Sequence, residues 1–111
     1  MSRPTDLVQG TLDLLILRMV ATEPLNGWNI GLRLKALSAD ALKVTDGSLY
    51  PALHKLEQQG LIAAEWRTTE NNRRAKFYSL TRLGKKQLKA EIESWDRLSS
   101  AISRVIRPQE S

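Results

Sequence analysis

The chain has 111 residues, 41% of them hydrophobic and 26% charged, with a formal net charge of +5 at pH 7 and no cysteine. This composition predicts one folded domain with a small core, and it excludes a disulfide scaffold and thiolate metal sites. No apolar run reaches the roughly 18 residues that a membrane span needs, and the first residues do not form a secretory signal, so we expect a cytoplasmic protein.

The excess positive charge lies in the middle of the chain. Residues 1–42 and 87–111 each hold four basic and four acidic residues, whereas residues 43–86 hold nine basic and four acidic residues. Positive charge clustered in this way is typical of a surface that binds nucleic acid. The middle segment is therefore the candidate interface.

Two helices are predicted before the basic segment. The spacing of apolar residues indicates a first helix at residues 7–22, which we expect to be buried along most of its girth. A second helix is predicted at residues 28–37, with Leu37 closing its inner stripe. Trp28 is expected to anchor the core or an interface.

A third helix is predicted at residues 45–59, inside the basic segment. Thr45 is a suitable N-cap, and Gly60 supplies the left-handed residue that often ends a helix. The apolar stripe of this helix consists of Leu49, Leu53 and Leu56. Pro51 has two interpretations: it lies beyond the first turn and bends the helix, or the regular helix begins later and Pro51 lies in its first turn.

The face opposite these leucines is polar and basic, as expected of a surface that reads base edges. The predicted DNA-contacting residues of this helix are Thr45, Ser48, Tyr50, Pro51, His54 and Lys55. Thr45 and Tyr50 alternatively hold phosphates, because residues near a helix N-terminus often do. A solvated helix surface without a ligand is the other interpretation.

No catalytic or metal-binding pattern occurs in the sequence. His54 is the only histidine, and Glu57 is the only acid within helical reach of its face. Neither a glycine-rich phosphate loop nor a metal-ligand spacing is present. We therefore predict that the protein is not an enzyme and has no cofactor or metal site.

After the third helix the apolar period changes from that of a helix to that of a strand. Ile62, Ala64 and Trp66 alternate with polar or small residues, as the half-buried side of a strand should. A turn at residues 68–72 and a second alternating run follow. This pattern predicts a β-hairpin.

The tip and second strand of the hairpin are basic. Arg73, Arg74 and Lys76 are suited to contact the phosphate backbone or the minor groove. Arg74 alternatively pairs with Glu65 or Glu70 across the hairpin. Three helices followed by a basic hairpin define the predicted fold, which is α+β, mainly α: a winged helix-turn-helix.

A long final helix is predicted at residues 81–107, capped by Thr81 and followed by a short tail at residues 108–111. Its apolar residues recur in steps of four and three, which is typical of a coiled-coil seam. The predicted dimer-interface residues are Leu88, Ile92, Trp95, Ser99, Ile102 and Ile106. Because the DNA-binding domain at residues 1–80 already has a core, we expect this seam to pack on a second copy.

Trp95 lies in the middle of this seam and has two interpretations. It is a buried anchor of the dimer interface, or it lines a gap between subunits in which a flat ligand stacks. In the second case Asp96 and Ser99 are the predicted ligand-binding neighbours, and a small aromatic effector is a partner.

Several runs of the sequence resemble the PadR family of bacterial transcriptional regulators. They are Gly10-Thr11-Leu12, Asn26-Gly27-Trp28-Asn29-Ile30, the run at 47–57 containing Leu-Tyr-Pro-Ala-Leu, Gly60-Leu61-Ile62, Trp66, the run at 74–81, and Gly84. The usual His-Gly-Tyr is Asn-Gly-Trp here, a departure expected to lie away from the DNA face. The resemblance implies a dimeric winged-helix repressor of the short branch, in which many members respond to small aromatic or cationic compounds.

The sequence thus predicts sequence-specific binding of double-stranded DNA by a homodimer on a palindromic operator. The competing function is a winged-helix module that binds protein, which needs an apolar outer face on the third helix. A third possibility, general DNA compaction, requires no preference for sequence.

Overall fold

The computed structural model describes residues 4–107, with side chains from residue 11 onward, so the predicted tail at 108–111 lies outside the described residues. The elements in chain order are helix α1 (Pro4–Thr22), strand β1 (Leu25–Asn26), helix α2 (Gly27–Leu37), helix α3 (Asp46–Gln58), strands β2 (Ile62–Thr68) and β3 (Arg74–Leu80), and helix α4 (Arg82–Ile106). The predicted α+β, mainly α winged-helix fold is confirmed, including the long C-terminal helix.

The three strands form an antiparallel sheet in the order β1-β3-β2. The predicted hairpin pairs Ile62 with Leu80 at its base and Thr68 with Arg74 near its tip. In the turn, Asn72 has a φ of 60°, as its predicted left-handed role requires. Strand β1 was not predicted, because two residues are too short to reveal a period.

The core lies between the helices and the base of the sheet. Its main buried residues are Leu12, Ile16, Leu17, Val20, Leu25, Ile30, Leu34, Leu49, Leu53, Leu56, Leu61, Ile62, Tyr78 and Leu88. Leu88 was assigned to the dimer seam, but it is only 8% exposed in the protomer. The first turns of α4 thus pack on their own domain, and a contribution of Leu88 to the dimer seam stays a prediction.

Three apolar residues assigned to buried positions are exposed. Trp28 is 70% exposed, which excludes its predicted role in the core of the protomer, and Leu37 is 73% exposed. Leu37 is the last residue of α2, and the chain leaves the core there through Ala39 and Asp40, whose φ angles are 51° and 67°. Trp66 is exposed because β2 extends beyond the helices that cover Ile62 at its base.

The ends of α3 follow the sequence prediction. The Ser48 amide donates to Thr45 Oγ1 over 3.3 Å, so Thr45 is the N-cap, and Gly60 has a φ of 76° just beyond the helix. The helix begins at Asp46, so Pro51 lies inside it and beyond the first turn, as the first of the two interpretations required. α3 is therefore fixed at both ends by local sequence.

Candidate nucleic-acid interface

Helix α3 presents one exposed stripe directly opposite its buried leucines. The residues of this outward stripe are Gly47, Pro51, His54 and Gln58, spaced by four, three and four positions. Pro51 and His54 were predicted to contact DNA, whereas Gln58 was not assigned to the site. Gln58 follows Pro51 by seven residues, nearly two helical turns, and this spacing places it on the same exposed face of α3.

One flank of the stripe borders the start of α2. Tyr50 is about half exposed, and a Cβ added to Gly27 would lie 2.8 Å from the Tyr50 hydroxyl, so a larger residue at this position would require the Tyr50 ring to move. Asn26 caps α2 by accepting a hydrogen bond from the Asn29 amide over 2.8 Å. Gly27 therefore borders the predicted DNA contact Tyr50, whereas the expectation that Asn26 and Trp28 lie away from the DNA face stays a prediction.

The other flank of the stripe borders α1. Lys55 Nζ lies 2.6 Å from Asp13 Oδ2, so this predicted DNA contact forms a salt bridge within the protein. Ser48 is half-buried nearby, and its hydroxyl accepts from Thr45 Oγ1 over 3.3 Å. Because Asp13 and Lys55 are 42 residues apart, no local pattern indicated the pair.

The hairpin lies beside α3 and is tied to it by a second salt bridge. Lys76 Nζ lies 3.1 Å from Glu57 Oε1 and 5.8 Å from the centre of the Tyr78 ring. The hydrogen bond that Lys76 donates to Glu57 raises the pKa of Lys76 and outweighs the opposing effect of partial burial. Lys76 therefore stays charged up to a pH above the ordinary lysine pKa, and its bond to Glu57 holds the hairpin against α3. Burial has the opposite effect on the nearby phenol: it raises the pKa of Tyr78, because the neutral form is favoured away from water.

The tip of the hairpin carries exposed positive charge. The Arg74 guanidinium lies 5.3 Å from the centre of the Trp66 ring on the neighbouring strand. Among residues 11–107 no salt bridge joins Arg74 to Glu65 or Glu70, and Glu65 instead pairs with Arg67 at 3.5 Å. Arg73 is exposed in the turn. Trp66 thus positions Arg74 by a cation–π contact, a role that the sequence did not indicate.

The predicted ligand-binding residues of α4 are not brought together. Trp95 borders a hollow of about 170 Å³ between α1 and α4, whose other lining residues are Thr11, Asp13, Leu14, Glu91, Ser94 and Leu98. Asp96 and Ser99 do not line it, and the Ser99 hydroxyl donates to the Asp96 carbonyl. Their predicted site lies in a gap between two subunits, which one protomer does not test, so this assignment stays a prediction.

In the part of the chain that the structure describes, no helix combines the length and hydropathy needed to cross a membrane. Within the same residues no group of histidine, aspartate and glutamate side chains is arranged to hold a metal ion. The candidate binding surfaces in the described part of the chain are the polar face of α3, the basic hairpin and the apolar side of α4.

A polar recognition helix beside a basic hairpin defines a winged helix-turn-helix DNA-binding protein. The chain belongs to the PadR-like family of transcriptional regulators, whose profile matches residues 16–90. Members of this family are DNA-binding regulators and not enzymes.

Individual relatives agree with this assignment. The chain is 32% identical over 66 residues to a transcriptional regulator of Mycobacterium tuberculosis, an alignment that covers 60% of this chain and 61% of the relative. A PadR family transcriptional regulator from Eggerthella lenta has a similar structure, with a TM-score of 0.77, 28% identity, and coverage of 95% of this chain and 89% of the other. A transcriptional regulator from Clostridium thermocellum shares the fold, with a TM-score of 0.84 at 24% identity over 92% of this chain and 99% of the other.

Proposed function

We propose that the protein is a homodimeric, sequence-specific repressor that acts in the cytoplasm on a palindromic operator. Residues 1–80 form the DNA-binding domain, and residues 81–107 form the dimerisation helix. The observation that carries the proposal is the outward stripe of α3, which is exposed, has no large apolar side chain, presents His54 and Gln58, and lies beside the basic hairpin. A protein-binding module is disfavoured because such a module requires an apolar stripe at this position.

The outward stripe suits the major groove of DNA. The groove is wide enough for an α-helix, and side-chain amides and imidazoles hydrogen-bond to base edges there. Gln58 is suited to adenine, whose ring nitrogen and amino group match an amide, and His54 offers a donor and an acceptor. The ring of Pro51 is suited to contact a thymine methyl group. Thr45, Ser48 and Tyr50 flank the stripe and are proposed to contact the backbone or neighbouring bases.

The apolar side of α4 supports a homodimer. Beyond Leu88, the seam is exposed at Ile92, Trp95, Ile102 and Ile106, and Leu98 and Val105 extend it. A row of exposed apolar side chains along residues 92–106 of α4 is costly in water and suits a symmetric partner. A two-fold pair also places two α3 helices on successive turns of a palindrome, about 34 Å apart.

Arg73 and Arg74 are proposed to bind the phosphate backbone or the minor groove beside the operator. Replacing Arg74 with alanine is expected to weaken binding to all duplexes and to reduce the salt dependence by about one unit per protomer, since one phosphate contact is lost. A gel-shift or anisotropy titration with the chain's own promoter region and random competitor, over a salt series, measures both effects. The control is Arg97→Ala on α4, which removes one positive charge away from the hairpin. An unchanged slope for Arg74→Ala contradicts the role of the hairpin, and equal affinity for promoter and random DNA contradicts specificity.

A small effector at the dimer interface is a further part of the proposal. The carboxylate of Glu91 beside Trp95 favours a planar cation over an anion, whereas Asp13, which borders the same hollow, is paired with Lys55. Titration with a planar aromatic cation is expected to quench tryptophan fluorescence in the wild type and not in Trp95→Ala. Quenching that persists in the variant removes this site from the proposal.

A further inference from the structure

The salt bridge between Lys55 and Asp13 lies at the edge of the candidate DNA face. Both side chains remain accessible to solvent, at 51% for Lys55 and 37% for Asp13. An ion pair this exposed is weak and is screened by salt. A stronger anion that approaches α3 is therefore able to displace the Asp13 carboxylate from the lysine.

The surroundings of the pair place it where a DNA strand would pass. A hollow of about 200 Å³ lies between the middle of α1 and α3, and it is lined by Leu12, Asp13, Gly47, Ser48, Pro51, Ala52 and Lys55. Gly47 and Pro51 also belong to the outward stripe. A phosphate on this side of the stripe would therefore meet an ammonium group and a carboxylate together.

We infer that Asp13 competes with the DNA backbone for the Lys55 ammonium and thereby limits the affinity of α3 for DNA of any sequence. The inference rests on the proposed function. When DNA binds, Lys55 Nζ exchanges the carboxylate for a phosphate, and Asp13 is left unpaired near the negative strand. This exchange lowers the affinity for every duplex equally, because phosphates carry no sequence information.

The effect on specificity follows from the separation of the two kinds of contact. His54 and Gln58 lie on the outward stripe and do not line the hollow. Their contacts with bases are independent of Asp13, so removing its charge is expected to tighten binding to every duplex by the same factor and to leave the ratio between operator and random DNA unchanged. Asp13 thus sets the overall affinity for DNA from α1, an element that is not itself expected to enter the groove.

The second lysine pair of this face has a different character. Lys76 and Glu57 are each about one-third exposed, and their hydrogen bond ties the hairpin to α3. Breaking that pair would change the position of the hairpin as well as the charge. Only the Asp13 pair therefore offers a test of charge competition with the architecture left intact.

The decisive variant is Asp13→Asn, which keeps the shape of the side chain and removes its charge. Anisotropy titrations with a random-sequence duplex over a salt series are expected to give about threefold tighter binding per protomer, with a steeper salt dependence of up to one unit per protomer. Lys55→Gln alone is expected to weaken binding. In the Lys55→Gln background, Asp13→Asn is expected to have a clearly smaller effect, because the lysine it would release is absent and only the direct repulsion between Asp13 and the strand is relieved.

Two controls separate local competition from bulk charge. Asp13→Glu retains a carboxylate and is expected to bind like the wild type. Glu93→Gln, at an exposed position of α4, removes the same charge elsewhere and is expected to leave binding unchanged. An equal gain from Glu93→Gln, or an equal gain without Lys55, overturns the inference.

The remaining outcomes are also informative. If Asp13→Asn binds no more tightly, competition is absent, and if it binds more weakly, Asp13 orients Lys55 toward DNA instead; either result overturns the inference. Circular dichroism establishes that each variant is folded. A wild-type protein that ignores duplexes at low salt would refute the proposed function itself, whereas normal binding without a response to Asp13→Asn removes only the inference.

Discussion

Replacement of Ile102 by aspartate is expected to convert the protein to a monomer and to abolish tight binding of a palindromic operator. Ile102 is 47% exposed in the protomer and lies on the seam of α4 with Trp95 and Ile106. In the proposed dimer this position is buried, and a carboxylate there costs at least about 2 kcal/mol. Two-fold symmetry places the change twice in one interface, so the dimer constant falls by about a thousandfold.

Light scattering at micromolar concentration measures the mass, and anisotropy with full and half operators measures the functional effect. The half operator is expected to bind the variant and the wild-type protomer alike, because α3 and the hairpin are unchanged. Ser100→Asp is the matched control, since Ser100 is exposed on the same helix and lies on the opposite side from Ile102. A dimeric Ile102→Asp variant would show that the interface lies elsewhere, and a monomeric wild type would remove the proposed dimer.

The sequence predicted best those features that depend on neighbouring residues. Thr45 and Gly60 bound α3 as expected, because caps are local chemistry with a fixed offset from the helix. The heptad spacing of α4 likewise places Ile92 and Ile102 on one exposed side. The spacing of apolar residues and the choice of cap residues depend only on neighbouring positions, so both can be read from the sequence before the fold is known.

Features that depend on distant residues could not be predicted. Periodicity placed Lys55 on the polar face of α3, but it could not show that Asp13, 42 residues away, would pair with it. Apolar patterns also continue past the point where covering elements end, which is why Trp66 and Leu37 are exposed. Leu88 is the converse case, since a seam residue became part of the domain core.

Replacement of Gly84 by alanine is expected to lower the free energy of unfolding by about 2–3 kcal/mol, because α4 is docked on a backbone carbonyl at this point. A Cβ on Gly84 would lie 2.0 Å from the Leu61 carbonyl oxygen and 2.6 Å from Leu80 Cδ1. The carbonyl cannot simply move aside, since it accepts hydrogen bonds from the Thr81 amide at 3.1 Å and the Thr81 hydroxyl at 3.0 Å. In a domain of this size, such a loss lowers the melting temperature by roughly 10–20 °C.

Gly31→Ala is the matched control for this prediction. Gly31 lies inside α2 with nothing within 4 Å of an added Cβ, so alanine there is expected to stabilise the protein by up to about 1 kcal/mol through helix propensity alone. Thermal unfolding followed by circular dichroism gives both values. A loss below about 0.5 kcal/mol for Gly84→Ala would show that α4 can move away from Leu61 at little cost in stability.

In the folded Gly84→Ala protein α4 must be displaced from Leu61, which alters the angle between the proposed dimerisation helix and α3. Its affinity for the palindromic operator is therefore expected to fall more than its affinity for a random duplex, because only the palindrome requires both α3 helices at a fixed spacing.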